Sequence, residues 1–357
     1  MREQFFEQVT NVLLVCCTIA GCNEPKKDAV KPQASAVAAP SAVELPKAAE
    51  LAPAGCKATG SKAIQIGTIL GDVYGFAEDA THLYYTTWQV YGGRGELGKI
   101  RKDGQGSQGL APLKLEPRGL AVDKNTVFYT AGIRLMGVPK DGGTATTIEP
   151  QFSSQSVAVD DAGIYGVPGD YGPYDRVAKI GKKGGAVTEL ASTKRPASSI
   201  GPNGYTSMAL DQSGVYVADA GNGRVLRFPL AGGKPQPIAT GVKKPFDLAI
   251  DESNVYFSLA AGELMKVSKA GGRATKLASG LVEKARIAAD TSAVYATRVA
   301  KNEGAKLTKV LPTDGTQTEV ASIPESHLVS AIALDHDCVY WVERADATKG
   351  LVYALAR

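Results

Sequence analysis

Seven times along the chain an apolar, alternating stretch ends in Asp, and the residue five places on is aromatic. The Asp residues are Asp79, Asp123, Asp160, Asp211, Asp251, Asp290 and Asp335. Their aromatic partners are Tyr84, Phe128, Tyr165, Tyr216, Tyr256, Tyr295 and Tyr340, each preceded by Leu, Val or Ile. Successive Asp residues are 44, 37, 51, 40, 39 and 45 positions apart. A repeat of this length cannot bury its own apolar face and must stack on its neighbours. The constant offset matters because a strand slipped by one residue turns its core side chains outward. Periods near 40 with room for four short strands predict an all-β, seven-bladed β-propeller, with six or eight blades as alternative counts.

Within a repeat, strand A ends at the Asp, as in Leu120-Ala-Val-Asp123. The Asp opens a turn by accepting backbone N–H groups. Strand B carries the aromatic and strand C follows, as in Val215 to Ala218 and Arg224 to Phe228. A Gly pair then precedes strand D at 142–143, 184–185, 232–233 and 271–272, and Asp103-Gly104 and Asp314-Gly315 replace it elsewhere. These turns account for much of the 40 Gly among 357 residues and provide the positive φ of tight hairpins. The last repeat stops after strand C at Arg357, and Lys62 to Ile69, which alternates like a strand, is expected to complete it and close the ring. Closure removes two sheet edges open to aggregation.

The N-terminal residues are of another kind. Val12 to Ala20 is apolar but too short to span a bilayer, and Ile19-Ala20-Gly21-Cys22 resembles the bacterial lipobox. The resemblance implies a signal peptide over 1–21 and lipid modification of Cys22. Asn23 rather than Asp after the Cys implies the outer membrane, facing the periplasm or the cell surface. Arg2 is offset by Glu3 and Glu7, a departure from the usual basic start. Residues 22–55 are rich in Ala, Pro and Lys, lack periodicity, and read as a disordered tether to a propeller over 56–357. An exported chain meets an oxidising compartment, so Cys56, six residues before the closing strand, is expected to bridge Cys338 at the start of the last strand B.

Gly214-Val-Tyr-Val-Ala-Asp219-Ala-Gly-Asn222-Gly-Arg224-Val-Leu-Arg-Phe228 resembles an NHL repeat. Ala333-Leu-Asp335…Val339-Tyr340-Trp341 and Leu83-Tyr84-Tyr85-Thr86 are more similar to YWTD propellers of the low-density-lipoprotein-receptor type. The likeness covers about 57–357 and implies fold only, since such families include receptors, scaffolds and a few lyases. Many of them have six blades, so the count of seven departs from the pattern.

The A–B and C–D turns belong to one face, and the B–C and D–A connections to the other. The first face is monotonous. The second has long connections at Trp88 to Glu96, Pro168 to Arg176, Arg298 to Lys306, Glu343 to Lys349 and Ser192 to Thr206. Irregular loops on a regular scaffold mark a binding face. The candidate binding residues there are Trp88, Tyr91, Arg94, Asp170, Tyr171, Tyr174, Lys194, Arg195 and Tyr205, with Asp175 beside them. Asp219, Asn222 and Arg224 read first as a structural turn.

Catalytic signals are sparse. There is no nucleophile elbow, metal-binding His pair or phosphate loop. Of three His, His82 and His336 fall in A–B turns, and only His327, near Glu325, lies on the irregular face. No metal and no cofactor are expected. The net charge of +4 (+5 from residue 56 onward) is too small for nucleic acid. The sequence therefore points to an envelope-anchored, monomeric, non-catalytic propeller that binds a protein or glycan on its B–C/D–A face. Membrane contact is expected through the lipid anchor alone. The alternative is a periplasmic lyase or hydrolase for a small or carbohydrate-like substrate with His327 as base. A polar funnel containing His327 would favour chemistry, and a flat aromatic rim a macromolecular partner.

Overall fold

The computed structural model describes Cys56 and residues 62–89, 92–168, 174–194, 205–300, 304–346 and 348–357. The signal, Cys22 and the tether lie outside the described residues, as do Tyr91, Asp170, Tyr171 and Arg195.

The described residues form seven four-stranded antiparallel sheets arranged as the blades of a closed ring. Blade 1 consists of strands A to D at Asp72–Glu78, His82–Trp88, Gly95–Arg101 and Ser107–Leu113. Each later blade repeats the order. In blade 7, strands A to C are Leu328–Leu334, Cys338–Asp346 and Lys349–Ala356, and the fourth is Ile64–Leu70 from the start of the ring. Its register runs from Ile64 opposite Ala354 to Leu70 opposite Lys349. The N-terminal strand thus closes the propeller as its alternation predicts. Cys56 lies buried beside Cys338, with Cα atoms 6.4 Å apart, a separation that a disulfide spans.

The core is divided into seven buried clusters, one per blade boundary. Strand B is sandwiched by neighbouring blades, so it reads as a near-continuous apolar run instead of alternating. Gly214–Asp219 is buried at every position. The C–D turns need their glycines. Gly232 and Gly233 have φ of 81° and 109°, and a Cβ on Gly315 would lie 2.3 Å from the Leu277 carbonyl oxygen.

The repeat Asp does two jobs. Within its blade it accepts backbone N–H bonds from the turn, such as those of Thr81 and His82 on Asp79 at 2.8 and 2.9 Å. It also accepts the Tyr hydroxyl five residues on in four blades: Asp79–Tyr84 at 2.9 Å, Asp160–Tyr165 at 3.0 Å, Asp251–Tyr256 at 2.6 Å and Asp335–Tyr340 at 2.9 Å. Burial and then this bond push the Tyr165 hydroxyl up to about 12. Between blades, the Asp takes a cation from just past strand C of the next blade. The pairs are Asp79–Lys140, Asp123–Lys182 (3.0 Å), Asp211–Lys269, Asp290–Arg357 and, across the closure, Asp335–Lys102 (2.8 Å). In four of these the cation also lies 5.0 to 5.6 Å from the centre of the neighbouring blade's repeat Tyr ring. Blades 4 and 6 have Leu230 and Pro312 there, so the 3/4 and 5/6 boundaries lack the clamp. At the first, Lys179 of blade 3 covers Tyr165 instead.

Lys102 is buried between Glu78 and Asp335. Burial alone would raise the Asp335 carboxyl, but the Lys102 and Tyr340 side chains and the Asp337 N–H outweigh it and hold the group below its ordinary value. Lys102→Met is expected to cost about 1–3 kcal/mol at pH 7, read from urea midpoints. A depressed carboxyl contributes its full stability above the unfolded value of about 4 and loses it as pH falls through the folded value. The difference between wild type and variant should hold from neutral pH to about 5 and close below that. An equal difference at pH 3 would remove the ion pair as its cause.

Candidate functional site

The irregular face carries the described candidates, but they do not converge. Trp88 closes strand B of blade 1 and packs half-buried on the cluster between blades 1 and 2. Arg94 is exposed and turns back on Gln89, whose backbone N–H donates to the Arg94 carbonyl at 2.9 Å and whose Oε1 is 3.4 Å from Arg94 Nε. Tyr174 and Lys194 are register partners at the ends of strands C and D of blade 3, Tyr174–Ile180 and Thr188–Lys194. Tyr205 belongs to the core: it is 5% exposed, its hydroxyl is 2.7 Å from that of Thr193, and its ring meets Phe228 edge-on. The Asp219 turn is structural as read. Asp219 is fully buried and holds Asn222 and Arg224 Nε, the latter at 2.7 Å.

His327 has a partner that the sequence did not reveal. Its Nδ1 lies 2.8 Å from Oε2 of Glu343, not against Glu325. The other Glu343 oxygen accepts Trp341 Nε1–H at 2.8 Å, and Trp341 stacks on Tyr353. Glu343 comes from strand B of blade 7, so only the fold brings it to His327. His327 does not line the cavity described next.

That cavity, of about 710 Å³, is the half of the central channel that opens on the irregular face. Its lining comes from the first residues of the A strands: Asp72 to Phe76 of blade 1, Arg118 to Leu120 of blade 2 and their equivalents around the ring. Three acids (Asp72, Glu116, Asp247) and three arginines (Arg118, Arg286, Arg344) give it no net charge. Two pairs are internal. Asp72 meets Arg344 of blade 7 at 3.2 Å. Asp247, almost fully buried, accepts Ser207 Oγ–H at 2.8 Å and the Ile287 N–H at 3.0 Å, with Arg286 at 3.7 Å. Arg286 in turn stacks on Phe246. Glu116, Arg118 and the Tyr74 hydroxyl have no side-chain hydrogen bond or ion pair among the described residues. Burial, then the Glu116 and Asp72 charges, push the Tyr74 hydroxyl up against the opposing pull of Arg118 and Arg344.

Sequence reasoning looked for length variation in loops and missed this centre. A signal was present. Five residues before the constant Asp, the repeats carry Tyr74, Arg118, Gln155, Thr206, Phe246, Ala285 and Ser330, no two alike. Five of these seven line the cavity. Among the described residues no group of three or more His, Cys, Asp or Glu could hold a metal ion.

No family model matches the sequence, and neither does any curated protein. Solved structures share the fold. YCF48 from Cyanidioschyzon merolae is 10% identical with a TM-score of 0.61, the match covering 82% of this chain and 98% of that one. The WD40 propeller of Doa1 gives 11% and 0.60 over 82% and 96%. BamB from Moraxella catarrhalis gives 12% and 0.52 over 82% and 99%. At these identities the likeness establishes a β-propeller and nothing finer.

The two kinds of polar group on this face should separate in stability measurements. Glu343→Leu strips a buried acceptor from both Trp341 and His327 and is expected to cost about 1–3 kcal/mol in urea unfolding followed by Trp fluorescence. Arg118→Gln, on the open cavity, should stay within about 0.5 kcal/mol of wild type.

Proposed function

We propose that the chain is a non-catalytic binding propeller, held at a bacterial cell envelope through lipid-modified Cys22 and the 22–55 tether, that receives a protein partner at the channel mouth. Its carrying observation is the cavity: about 710 Å³, open on the irregular face, with recognition groups that the fold itself leaves unpaired. The chain reaches the ring on the other side. Cys56 lies beside the start of strand B of blade 7, on the monotonous face of the A–B and C–D turns (the even face), and Ile64–Leu70 then crosses to the irregular face. Asn23 after Cys22 supports the outer membrane as the anchor site. The Asp219–Asn222–Arg224 turn supports the NHL-like reading of blade 4. YCF48 has been solved with D1 peptide bound, and that use of the same fold agrees with a protein partner here. The lyase or hydrolase alternative draws no support from His327, which is tied to Glu343 outside the cavity.

A photo-reactive side chain in place of Gln155, at the mouth, is expected to give protein adducts in envelopes. The same group at Lys183, in a C–D turn of the even face, is expected to give none. Adducts from Lys183 alone, or from neither position, would overturn the assignment of the face. We further propose that Cys56 and Cys338 form a disulfide that pins the closing strand. Reduction, or Cys338→Ser, should destabilise the ring by about 2–5 kcal/mol, read as a lower unfolding midpoint. Alkylation of both thiols in the untreated protein, followed by mass analysis, would count against the bridge.

A further inference from the structure

The large apolar side chains that the fold leaves exposed are distributed unevenly between the two faces. Of the six that stand out among the described residues, Leu70, Leu115, Ile133, Val299 and Leu328 lie at strand ends or connections of the irregular face. Only Val187 lies on the other. Stacking of the blades cannot account for the bias, since each boundary has its own buried cluster. Clustered exposed apolar groups mark interaction surfaces on soluble domains.

Three of them bracket the unpaired polar groups. The blade order places Leu328 (blade 7), Tyr74 (blade 1) and Arg118 (blade 2) successively around the mouth. Leu115, in the connection from blade 1 to blade 2, packs under the B–C turn of blade 2 next to Ile133, its Cδ1 3.3 Å from where a Cβ on Gly132 would stand. Arg118 therefore lies between an apolar contact on blade 7 and a second one outward on blade 2. A guanidinium presents paired donors that match a carboxylate. Tyr74 adds a hydroxyl donor whose proton the nearby Glu116 and Asp72 charges help to retain.

We infer that Arg118, with Tyr74, holds an acidic side chain in the interior of an extended peptide segment whose flanking apolar residues rest on Leu328 and on Leu115 with Ile133. A carboxylate complements Arg118, which has no acidic partner while Arg344 and Arg286 have theirs. The apolar contacts on both sides require chain on both sides of it, which selects an internal Asp or Glu over a C-terminal carboxylate. Two blade spacings of about 10 Å at most are crossed by about six extended residues. Glu116, two residues from Arg118, more exposed and likewise unpaired, disfavours a second acid beside the first.

The inference rests on the channel mouth being a protein-docking site, and its test is separate from the cross-linking test of that reading. An array of 12-residue peptides is probed with the full chain in mild detergent. Each peptide has a central Glu, Gln or Lys flanked by Leu or Ser, with free-acid and amidated C-termini. Central Glu with Leu flanks is expected to bind about ten- to a hundredfold better than Gln or Lys, whatever the terminus. Arg118→Gln should abolish the preference for Glu over Gln, Arg118→Lys should keep part of it, and Leu328→Ser should weaken Glu and Gln peptides alike. Each variant's thermal melt is compared with wild type. Dependence on a free C-terminus, or a preference for Glu that survives in folded Arg118→Gln, overturns the inference. If position 155 still gives adducts in that event, the docking face stands and only the carboxylate assignment falls. If it gives none, the reading beneath it falls as well.

Discussion

A ring of blades holds only if each boundary is as well satisfied as the interior of each blade, and here the repeat Asp connects the two. One carboxylate closes the A–B turn of its own blade, often takes the Tyr hydroxyl five residues on, and at five of the seven boundaries receives a Lys or Arg from the next blade. Charge-assisted bonds of this kind gain strength where the groups are part-buried, and leaving one partner unpaired there is expensive. The clamp and the apolar cluster beneath it act together. The aromatic that fills the boundary is the same ring over which the neighbouring cation sits. At the closure, Lys102 joins blade 1 to Asp335 of blade 7 on the even face while Ile64–Leu70 supplies the outermost strand. Closure is thus secured near the inner and the outer parts of the last blade.

This division of labour gives each A strand two unlike ends. It runs at one end into the constant Asp, committed to turn and boundary. Its first residues border the channel and are released from that duty, so they differ from blade to blade. The even face is where polar groups satisfy one another. The irregular face is where Arg118, Glu116 and Tyr74 do not. The three acids balance the three arginines and avoid a strong field of one sign, and two ion pairs brace the mouth. His327 lies on the same face, where Glu343 links it to Trp341, which stacks on Tyr353.

Some of the architecture could be read from local pattern. The offset from Asp79 to Tyr84 and its six counterparts marked strand A, turn and strand B in register. The missing strand after Lys349–Ala356 identified Lys62 to Ile69 as the closing one, observed at Ile64–Leu70. The irregular face was legible from loop lengths, while the cavity at its centre was not. Arg94 and Trp88 stood out because they belong to a long connection, whereas the cavity is built from strand starts whose mark is the residue that varies five places before the constant Asp.

The sequence by itself determined the number of blades, the register within each and the way the ring closes, because these depend on residues a few positions apart and the pattern recurs seven times. The tertiary structure decided which groups meet across boundaries and at the axis. Lys102 reaches Asp335 over 233 residues, Arg344 reaches Asp72 over 272, and Asp247 gathers Ser207 and Ile287 from blades on either side. The first two pairings exist only once the ring has closed, since closure alone brings the first and last blades together, and the third only once neighbouring blades have stacked.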